Sequence, residues 1–473
     1  MKGAWVVLAA LAVGWVAAVA GSLELKWVLV PLGVLALPVG YAVVGSARRL
    51  FLGLLVLSLC VQVDVNLGWS QGFTYLRLGV PITLTGMVVL AGSVWLLWRG
   101  WKGGEGLEFF PGVVGPYGAA VLLAGLSVFW ARVPERVVHG LPMAVEGLLV
   151  LWFVANTVRS EEDARFVGGA MAVAVAVSGG FALAQFWTGS SLGLTFLGEE
   201  KGWAAAGEYA RATGLWNNPN NLAFFLTGWI PFLLFGAIWG RKGWLRGLCL
   251  GGFLLGLVGL VLTQSRGGWV SVVVSSGLGL VLLGRRRAGE EARRVFKRAL
   301  PVMVSLVVLA VPLLPVVVYR VGQDLGSLKG REQLIGPAFR MIGSHPILGV
   351  GLDNYRQMVG WYDDNPPTRP DGSPEAVHNI YLHTAAELGV PALLCLLFAV
   401  GLAMRRGYVG AGRLGGDLGI LGMGALAGLV AVLLHGMGEL GTIWHPKFRS
   451  IPYLCGVLLA VWQAARGSGE NTC

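Results

Sequence analysis

The sequence predicts an all-α polytopic membrane protein with about 14 transmembrane helices (12 to 14). Of its 473 residues, 55% are hydrophobic and only 13% are charged, whereas about a quarter of the residues of soluble domains are charged. The mean hydropathy is +0.69. Long apolar runs recur along the whole chain, and they are continuous rather than alternating, which favours helices over membrane strands.

The same composition excludes a disordered, collagen-like or disulfide-stabilised chain. The five cysteines form no CxxC pair, and four of them lie in or beside apolar runs, so we expect neither a disulfide nor a zinc site. The net charge of +11 comes from short Arg and Lys clusters between apolar runs. This pattern is typical of the cytoplasmic loops of membrane proteins. We therefore expect membrane lipid, and no nucleic acid, as a partner.

A membrane-spanning helix needs about 20 apolar residues. The first apolar run resembles a secretory signal, but a second run follows from Trp27, so we expect the first to be retained as a span. Three of the candidate segments are short, which gives the range of 12 to 14. In chain order the segments are Ala4–Ala20, Trp27–Val44, Leu50–Val63, Gly79–Trp98, Gly112–Trp130, Val138–Thr157, Phe166–Trp187, Asn221–Trp239, Gly247–Thr263, Gly268–Gly284, Ala299–Tyr319, Asn379–Met404, Leu418–Leu434 and Ile451–Ala465.

The basic clusters predict the orientation of these spans. With a cytoplasmic N-terminus, Arg48–Arg49 and the dense run Arg285–Arg298 both fall on the inner side, and both termini are cytoplasmic. Two long loops, Thr188–Asn220 and Arg320–His378, then lie outside, together with the short turn Gln264–Gly267. Long loops are uncommon unless they are functional, so we expect the chemistry on this outer face.

This topology divides the chain into four regions, which we predict from the spans and loops alone. They are N-terminal transmembrane helices over 1–187, central transmembrane helices over 188–319 with an outer loop at 188–220, a large periplasmic loop over 320–378, and C-terminal transmembrane helices over 379–473.

Polar residues gather where the first outer loop and the short turn meet the membrane. The stretch Arg211-Ala-Thr-Gly-Leu-Trp-Asn-Asn-Pro-Asn-Asn221 leads into a helix that Asn217 or Asn218 can cap, with Pro219 in its first turn. An arginine beside a helix N-terminus suits an anion. Arg266, followed by two glycines that allow close approach of a ligand, lies at the boundary, where a charge is costly. Snorkelling arginines and ordinary capping are the structural alternatives.

The large loop carries further candidates. Arg331 to Arg340 reads as an amphipathic helix, for which a solvated or interfacial face is the structural alternative. Asp363 and Asp364 have no third ligand at a suitable spacing, so we expect no metal. His378 stands where the chain re-enters the membrane, and a neutral histidine can accept a proton at working pH.

Two further pairs of polar residues lie one helical turn apart. His383 and Glu387 can partner inside the bilayer, and His435 and Glu439 repeat the spacing near the last outer loop. For both pairs a structural role is the alternative to a functional one.

The convergence of these residues on one face predicts a reaction. Arginines bind phosphate through two parallel hydrogen bonds, and a histidine at the same depth can deprotonate a hydroxyl. Together they indicate transfer of a group from a lipid-linked phosphate donor to an acceptor hydroxyl at the outer leaflet.

Four stretches resemble the O-antigen ligase and polymerase superfamily of bacterial inner-membrane glycosyltransferases. They cover roughly the C-terminal half of the chain, from Arg211 onwards. The stretches are Arg211 to Asn221, Ser265-Arg-Gly-Gly268, Gly330-Arg331 continuing to His345-Pro-Ile-Leu-Gly-Val-Gly-Leu-Asp-Asn-Tyr355, and His378-Asn-Ile-Tyr-Leu-His-Thr-Ala-Ala-Glu-Leu-Gly-Val-Pro391.

The resemblance implies a fold of the membrane glycosyltransferase C type in the bacterial inner membrane. It implies a polyprenyl-diphosphate-linked glycan as donor, a glycolipid or other hydroxyl as acceptor, inversion at the anomeric carbon, and chemistry without a metal or cofactor. By position, His378 is the base and Arg211, Arg266, Arg331 and Arg340 bind the diphosphate. The supporting residues are Asn218, Asn221, Asn379 and Tyr381.

Two alternatives stay open at this point. A polymerase or a protein O-glycan ligase of the same superfamily would have the same site and a different acceptor. A secondary transporter or lipid flippase, from another class, would also show intramembrane charges such as Glu387, but we find no clear internal repeat of the kind such proteins have.

Overall fold

The protein is a bundle of apolar helices with two short hairpins. The computed structural model describes residues 40–42, 44–62, 64–72, 76–103, 106–109, 112–192, 203–204, 211–216, 218–284, 314–319, 332–364, 366 and 374–470. The main elements in chain order are α1 Ala47–Leu59, β1 Asp64–Gly72, β2 Leu76–Thr83, α2 Leu84–Trp101, α3 Val114–Leu126, α4 Pro134–Thr157, α5 Glu161–Thr188, β3 Trp203–Ala204, β4 Arg211–Ala212, α6 Pro219–Trp239, α7 Gly243–Leu262, α8 Arg266–Gly284, α9 Ile335–Ser344, α10 Tyr355–Met358, α11 Ile380–Arg413, α12 Gly416–His435 and α13 Ser450–Glu470.

The prediction of an all-α polytopic membrane protein is confirmed for the part of the chain that the structure describes. Seven of the described helices are long and apolar enough to cross a membrane: α2, α4, α5, α6, α7, α11 and α12 with its short continuation. The first candidate span lies outside the described residues, and only the ends of Trp27–Val44 and Ala299–Tyr319 fall within them. The count of 14 therefore stays a prediction.

The antiparallel hairpin β1–β2 was not predicted from the sequence. In it Asp64 pairs with Thr83, and the register shifts between Leu67 and Ser70. The helix that was expected to begin at Gly79 begins at Leu84 instead. Because Asp64 at the start of the hairpin pairs with Thr83 at its end, the hairpin returns the chain beside the segment that follows α1, and α2 begins there.

Helix α6 lies at the centre of the bundle and packs against α7 and α12. In its most apolar window 94% of the residues are buried inside the protein, so most of its apolar surface meets other helices rather than lipid. Gly428 of α12 lies directly against the carbonyl oxygen of Gly228 of α6, and a Cβ at 428 would overlap that oxygen. Small residues at such a crossing let two membrane helices approach closely.

The helices alternate in direction, so their ends form two faces. We call the face that carries the connections 127–133, 211–216, 263–265, 345–364, 374–379 and 436–449 the site face. Arg211, Arg266, Arg340 and His378 all belong to these connections or to the helices beside them, as the predicted alternation requires.

At the opposite face, charged residues connect the ends of neighbouring helices through ion pairs and hydrogen bonds. Arg49 of α1 pairs with Asp163 of α5 at 3.2 Å. Glu161 accepts a hydrogen bond from the backbone N–H of Asp417 at the start of α12, at 2.6 Å. A carboxylate at a helix N-terminus meets unpaired N–H groups there. These contacts hold α1, α5 and α12 together at the end of the bundle away from the site face.

Candidate active site

A cavity of about 800 Å³ opens on the site face, and we call it the site cavity. Its walls come from the beginnings of α4 and α6, from the segments 352–357 and 374–387, and from the last connection, 439–447. Three of the residues predicted for the site line this cavity: His378, Asn218 and Asn221. Segments far apart in the chain therefore meet here.

A break in α11 fixes one wall of the site cavity. The helix is interrupted at Gly389, whose φ of +81° and ψ of 163° are not helical. Pro391 has no N–H, so the carbonyl of Glu387 lacks its donor four residues on. That carbonyl accepts the N–H of Gly351 at 2.8 Å, and the carbonyl one residue earlier accepts the N–H of Val350 at 3.0 Å. The loop after α9 is thereby tied to the membrane helix.

The carboxylate of Glu387 continues this attachment. It is 1% exposed and accepts the backbone N–H of Asp353 at 2.9 Å and that of Tyr355 at 3.1 Å. Its Oε1 also lies 3.2 Å from Nε2 of His383, which confirms the predicted pairing of these two residues. A buried carboxylate with three donors is well satisfied. Glu387 therefore holds segment 353–357 against the cavity.

His378 immediately precedes the start of α11. Its Nε2 lies 3.8 Å from Oε1 of Glu375, while its buried Nδ1 has no hydrogen-bond partner among the described residues. Asn379 caps the helix through its side-chain oxygen, which accepts the N–H groups of Tyr381 and Leu382, each at 3.0 Å. The hydroxyl of Tyr381 donates to the Leu433 carbonyl at 2.6 Å. The two predicted supporting residues, Asn379 and Tyr381, thus hold the start of α11 next to His378 and do not line the cavity.

The other two histidines of the site cavity are less suited to accept a proton. His383 is buried, and its Nε2 already faces Glu387. Burial lowers the pKa of His445 well below its usual value, and the cations of Lys447 and Arg449 lower it further. His445 Nδ1 lies 3.4 Å from the N–H of Lys447, which can donate to it. His378 is therefore the histidine best placed to act as a base.

Arg211 joins three stretches of the chain. Its Nε donates to the carbonyl of Thr263 at 2.9 Å, and its Nη2 donates to Oδ1 of Asn220 at 2.6 Å. Asn220 lines the site cavity, whereas Arg211 does not.

Asn218 is the N-cap of α6 and accepts the N–H of Asn220 at 2.8 Å, which confirms the predicted cap. Asn221 donates to Oε1 of Gln62 at 3.2 Å.

Arg266 begins α8 and is partly exposed; it is not among the residues that line the site cavity. The glycines after it were expected to make room for a ligand. Instead they make room for His435, because a Cβ at Gly267 would lie 3.2 Å from the His435 ring. The same ring lies 3.2 Å from the Ser265 hydroxyl. His435 also approaches Glu439 at 3.8 Å, as the spacing predicted.

Of the two arginines predicted from the large loop, the structure describes only Arg340. Arg340 is exposed on α9, where its Nε donates to the Tyr362 carbonyl at 2.7 Å and its Nη2 lies 3.9 Å from Asp363. It does not line the site cavity. Arg331 lies outside the described residues. The helix expected over Arg331–Arg340 is observed as α9, shifted towards Ser344.

Four cations that line the site cavity were not predicted from the sequence: Arg132, Arg136, Arg356 and Lys447. Arg136 pairs with Asp353 at 2.9 Å, Lys447 with Glu439 at 2.9 Å, and Arg356 lies 3.8 Å from Glu375. Only Arg356 had a usable signal, because it directly follows the stretch that ends at Tyr355.

Asp353 has a perturbed acidity. The cavity walls that surround its carboxyl raise its pKa to about 6, although Arg136 opposes this shift. About half of the side-chain surface (52%) still faces the cavity. The ion pair with Arg136 is therefore complete only above about pH 6.

Within the described ranges, no three His, Cys, Asp or Glu side chains are grouped as a metal site. The absence of a metal from the reaction stays a prediction.

A comparison with protein families matches residues 251–397 to the O-antigen ligase family model, Wzy_C. The matched range runs from within α7 to within α11 and includes Arg266, His378 and Glu387; Arg211 and the α4 residues lie outside it. No curated protein sequence matches the chain. At the level of the family, the match supports a glycosyltransferase of the ligase or polymerase type that acts on lipid-linked glycans. Residues 251–397 therefore carry the similarity to the O-antigen ligase family, and this supports membership of that superfamily.

Proposed function

We propose that the protein transfers a glycan from a polyprenyl-diphosphate donor to an acceptor hydroxyl, as an O-antigen ligase does, at the periplasmic face of the bacterial inner membrane. The observation that carries this proposal is the placement of His378 in the site cavity. Its Nε2 lies beside Glu375, and cations and the capped N-terminus of α6 form the surrounding walls.

The proposed reaction needs one proton transfer and one displacement. His378 accepts the proton of the acceptor hydroxyl, and the hydroxyl oxygen attacks the anomeric carbon of the donor. The bond from that carbon to the diphosphate oxygen breaks, and the configuration inverts. The Glu375 carboxylate, 3.8 Å from His378 Nε2, favours the imidazolium that forms. The leaving diphosphate keeps the bonding electrons and needs positive charge around it.

We propose that the diphosphate binds where Arg211, Asn218 and the first turn of α6 meet. The N-terminal end of a helix carries a partial positive charge that favours an anion, and Arg211 donates a hydrogen bond to Asn220 of this turn at 2.6 Å. Arg266 supplies charge from the first residue of α8. With the diphosphate neutralised by these groups, the reaction requires no metal or cofactor.

The two loop arginines, Arg331 and Arg340, complete the proposed set. Arg340 has a side chain that is 56% exposed and does not line the site cavity, so we propose that it contacts the donor outside the cavity. Both residues belong to the large loop, which is then the part of the donor site nearest to the aqueous phase.

The acceptor distinguishes the related functions. A lipid A-core-like glycolipid is the proposed acceptor, and a growing lipid-linked glycan or a protein hydroxyl would make the chain a polymerase or a protein ligase. Purified protein in lipid nanodiscs, given a polyprenyl-diphosphate glycan and each acceptor in turn, tests this directly. Transfer to the glycolipid alone supports a ligase. No transfer to any acceptor would refute the proposed function.

His378→Ala tests the proposed base in the same assay. General base catalysis contributes about 10²- to 10⁴-fold, and we expect a loss of that size in kcat. His345→Ala is the matched control, because His345 is exposed on the same face and does not line the site cavity. Both variants should elute from size-exclusion chromatography as the wild type does. A wild-type kcat in His378→Ala would show that His378 is not the base. Loss of transfer by the wild type on addition of a chelator would contradict a metal-free reaction.

A further inference from the structure

One wall of the site cavity has no part in the chemistry proposed above. It is formed by the start of α4 and by the segment that Glu387 holds in place. Arg136 of α4 is only 13% exposed and pairs with Asp353 at 2.9 Å. With its amide oriented to satisfy both neighbours, Gln357 accepts from Arg136 Nε at 3.1 Å and donates to the Asp353 carbonyl at 3.2 Å. This wall is therefore an ordered row of donors and acceptors.

An aromatic ring continues the wall outward. Arg132 lines the site cavity, and its guanidinium lies 4.6 Å from the centre of the Trp361 ring. Trp361 is 68% exposed, although Val359 in the same short helix is buried at 1%. The indole is thus presented to solvent by a well-packed segment. An indole held in this way beside a polar cavity offers a rigid apolar ring to a ligand.

The part of this wall around Asp353 is poorly suited to an anionic ligand. Asp353 carries a carboxylate into the cavity and neutralises Arg136, while Arg132 faces the Trp361 ring, so a phosphate beside Asp353 would meet a like charge. A hydrocarbon chain is also disfavoured, because it would cover these polar groups without pairing them. Sugars match the wall, because their hydroxyl groups both donate and accept, and a pyranose ring has an apolar C–H face that can pack on an indole.

We propose that Arg132, Arg136, Asp353, Gln357 and Trp361 form a subsite for an oligosaccharide chain, with one sugar ring packed on Trp361. This inference rests on the proposed function, since it takes the protein to handle glycans. The oligosaccharide belongs either to the donor or to the acceptor, and both present the same chemistry. The subsite would hold sugars beyond the one that reacts, and so favour long glycans over short ones.

The test compares donors and acceptors of different glycan length. Purified full-length protein in nanodiscs is given a polyprenyl-diphosphate donor carrying one sugar or several, with a fixed acceptor, and then acceptors of two lengths with a fixed donor. Trp361→Ala is expected to raise KM for the long substrate about five- to tenfold, as loss of one aromatic contact implies, and to leave KM for the short one unchanged. Trp361→Tyr should restore most of the affinity.

Trp187→Ala is the matched control, because Trp187 is 84% exposed near the same face and lies outside the site cavity. It should leave both KM values unchanged. A length-dependent effect with donors places the donor glycan on the subsite, and one with acceptors places the acceptor there. Equal KM values in Trp361→Ala and wild type, or an equal rise for short and long substrates, would overturn the inference. Should Trp361→Ala not fold, Arg132→Gln is tested in the same way. Absence of transfer by the wild type would refute the proposed function instead.

Discussion

Glu387 provides the sharpest test of how the site is held together. Its buried carboxylate accepts hydrogen bonds from the backbone N–H groups of Asp353 and Tyr355 and faces His383. Glu387→Gln keeps the shape of the side chain but replaces one of its two accepting oxygens by an NH2 group. Whichever way the amide turns, at least one of the donors loses its acceptor.

The loss of stability caused by Glu387→Gln can be worked out from the burial of these groups. A hydrogen bond to a charged group contributes about 1.5–3 kcal/mol, and a buried donor left unpaired costs about 1–3 kcal/mol. We therefore expect segment 353–357 to lose about 2 kcal/mol of local stability. Because each 1.4 kcal/mol is a factor of ten, the segment should open roughly 30 times more often.

Amide hydrogen exchange measures this opening, since the N–H groups of Asp353 and Tyr355 exchange only when the bonds to Glu387 break. In nanodiscs, peptides that cover 352–358 should exchange roughly 30-fold faster in Glu387→Gln than in wild type. Glu332→Gln, at an exposed position of the same loop, is the control and should exchange as the wild type does. Unchanged protection of these two amides in Glu387→Gln would show that the carboxylate does not hold the segment.

Two further predictions concern the wall and the break in α11. Because the pKa of Asp353 is raised to about 6, its carboxyl group is protonated below that pH and no longer forms an ion pair with Arg136. KM for long glycans should therefore rise as the pH falls through about 6. Asp353→Asn should have a raised KM at every pH, without the pH dependence. A pH profile identical in both proteins would contradict this. Gly389→Ala should prevent accumulation of folded protein, because φ is +81° and the new Cβ would overlap a carbonyl of the facing loop. Gly401→Ala, in open space, should accumulate normally by fluorescence-detected size-exclusion chromatography.

Much of the fold could be predicted from the sequence because each membrane helix corresponds to one continuous apolar run. A run of about 20 apolar residues has few alternatives to a membrane-spanning helix in a bilayer, and the basic clusters predict which end of each helix is cytoplasmic. The cap at Asn218 and the pair His383–Glu387 could be predicted for the same reason, since both depend on residues within one helical turn. The hairpin β1–β2 could not, because its strands carry no strong pattern.

The cavity walls depend on contacts that cross the chain. Arg136 meets Asp353 over a separation of 217 residues, and no local pattern distinguishes Arg136 from an ordinary arginine at a helix start. The reverse holds for Arg340, whose place in a recognisable stretch suggested a binding role, whereas its contacts in the structure are with Tyr362 and Asp363. Spacing predicts neighbours on one element, and it carries no information on which elements meet.

The recognisable stretches themselves divide into two kinds once these contacts are known. The glycines near 350, Glu387 and the Gly389–Pro391 break serve backbone hydrogen bonds that tie the large loop to α11. His378 differs, because its Nε2 makes no hydrogen bond to the described residues and lies beside Glu375 within the cavity. Substitutions of the first kind should therefore act through the geometry of segment 353–357, whereas those at His378 should act on the chemical step alone.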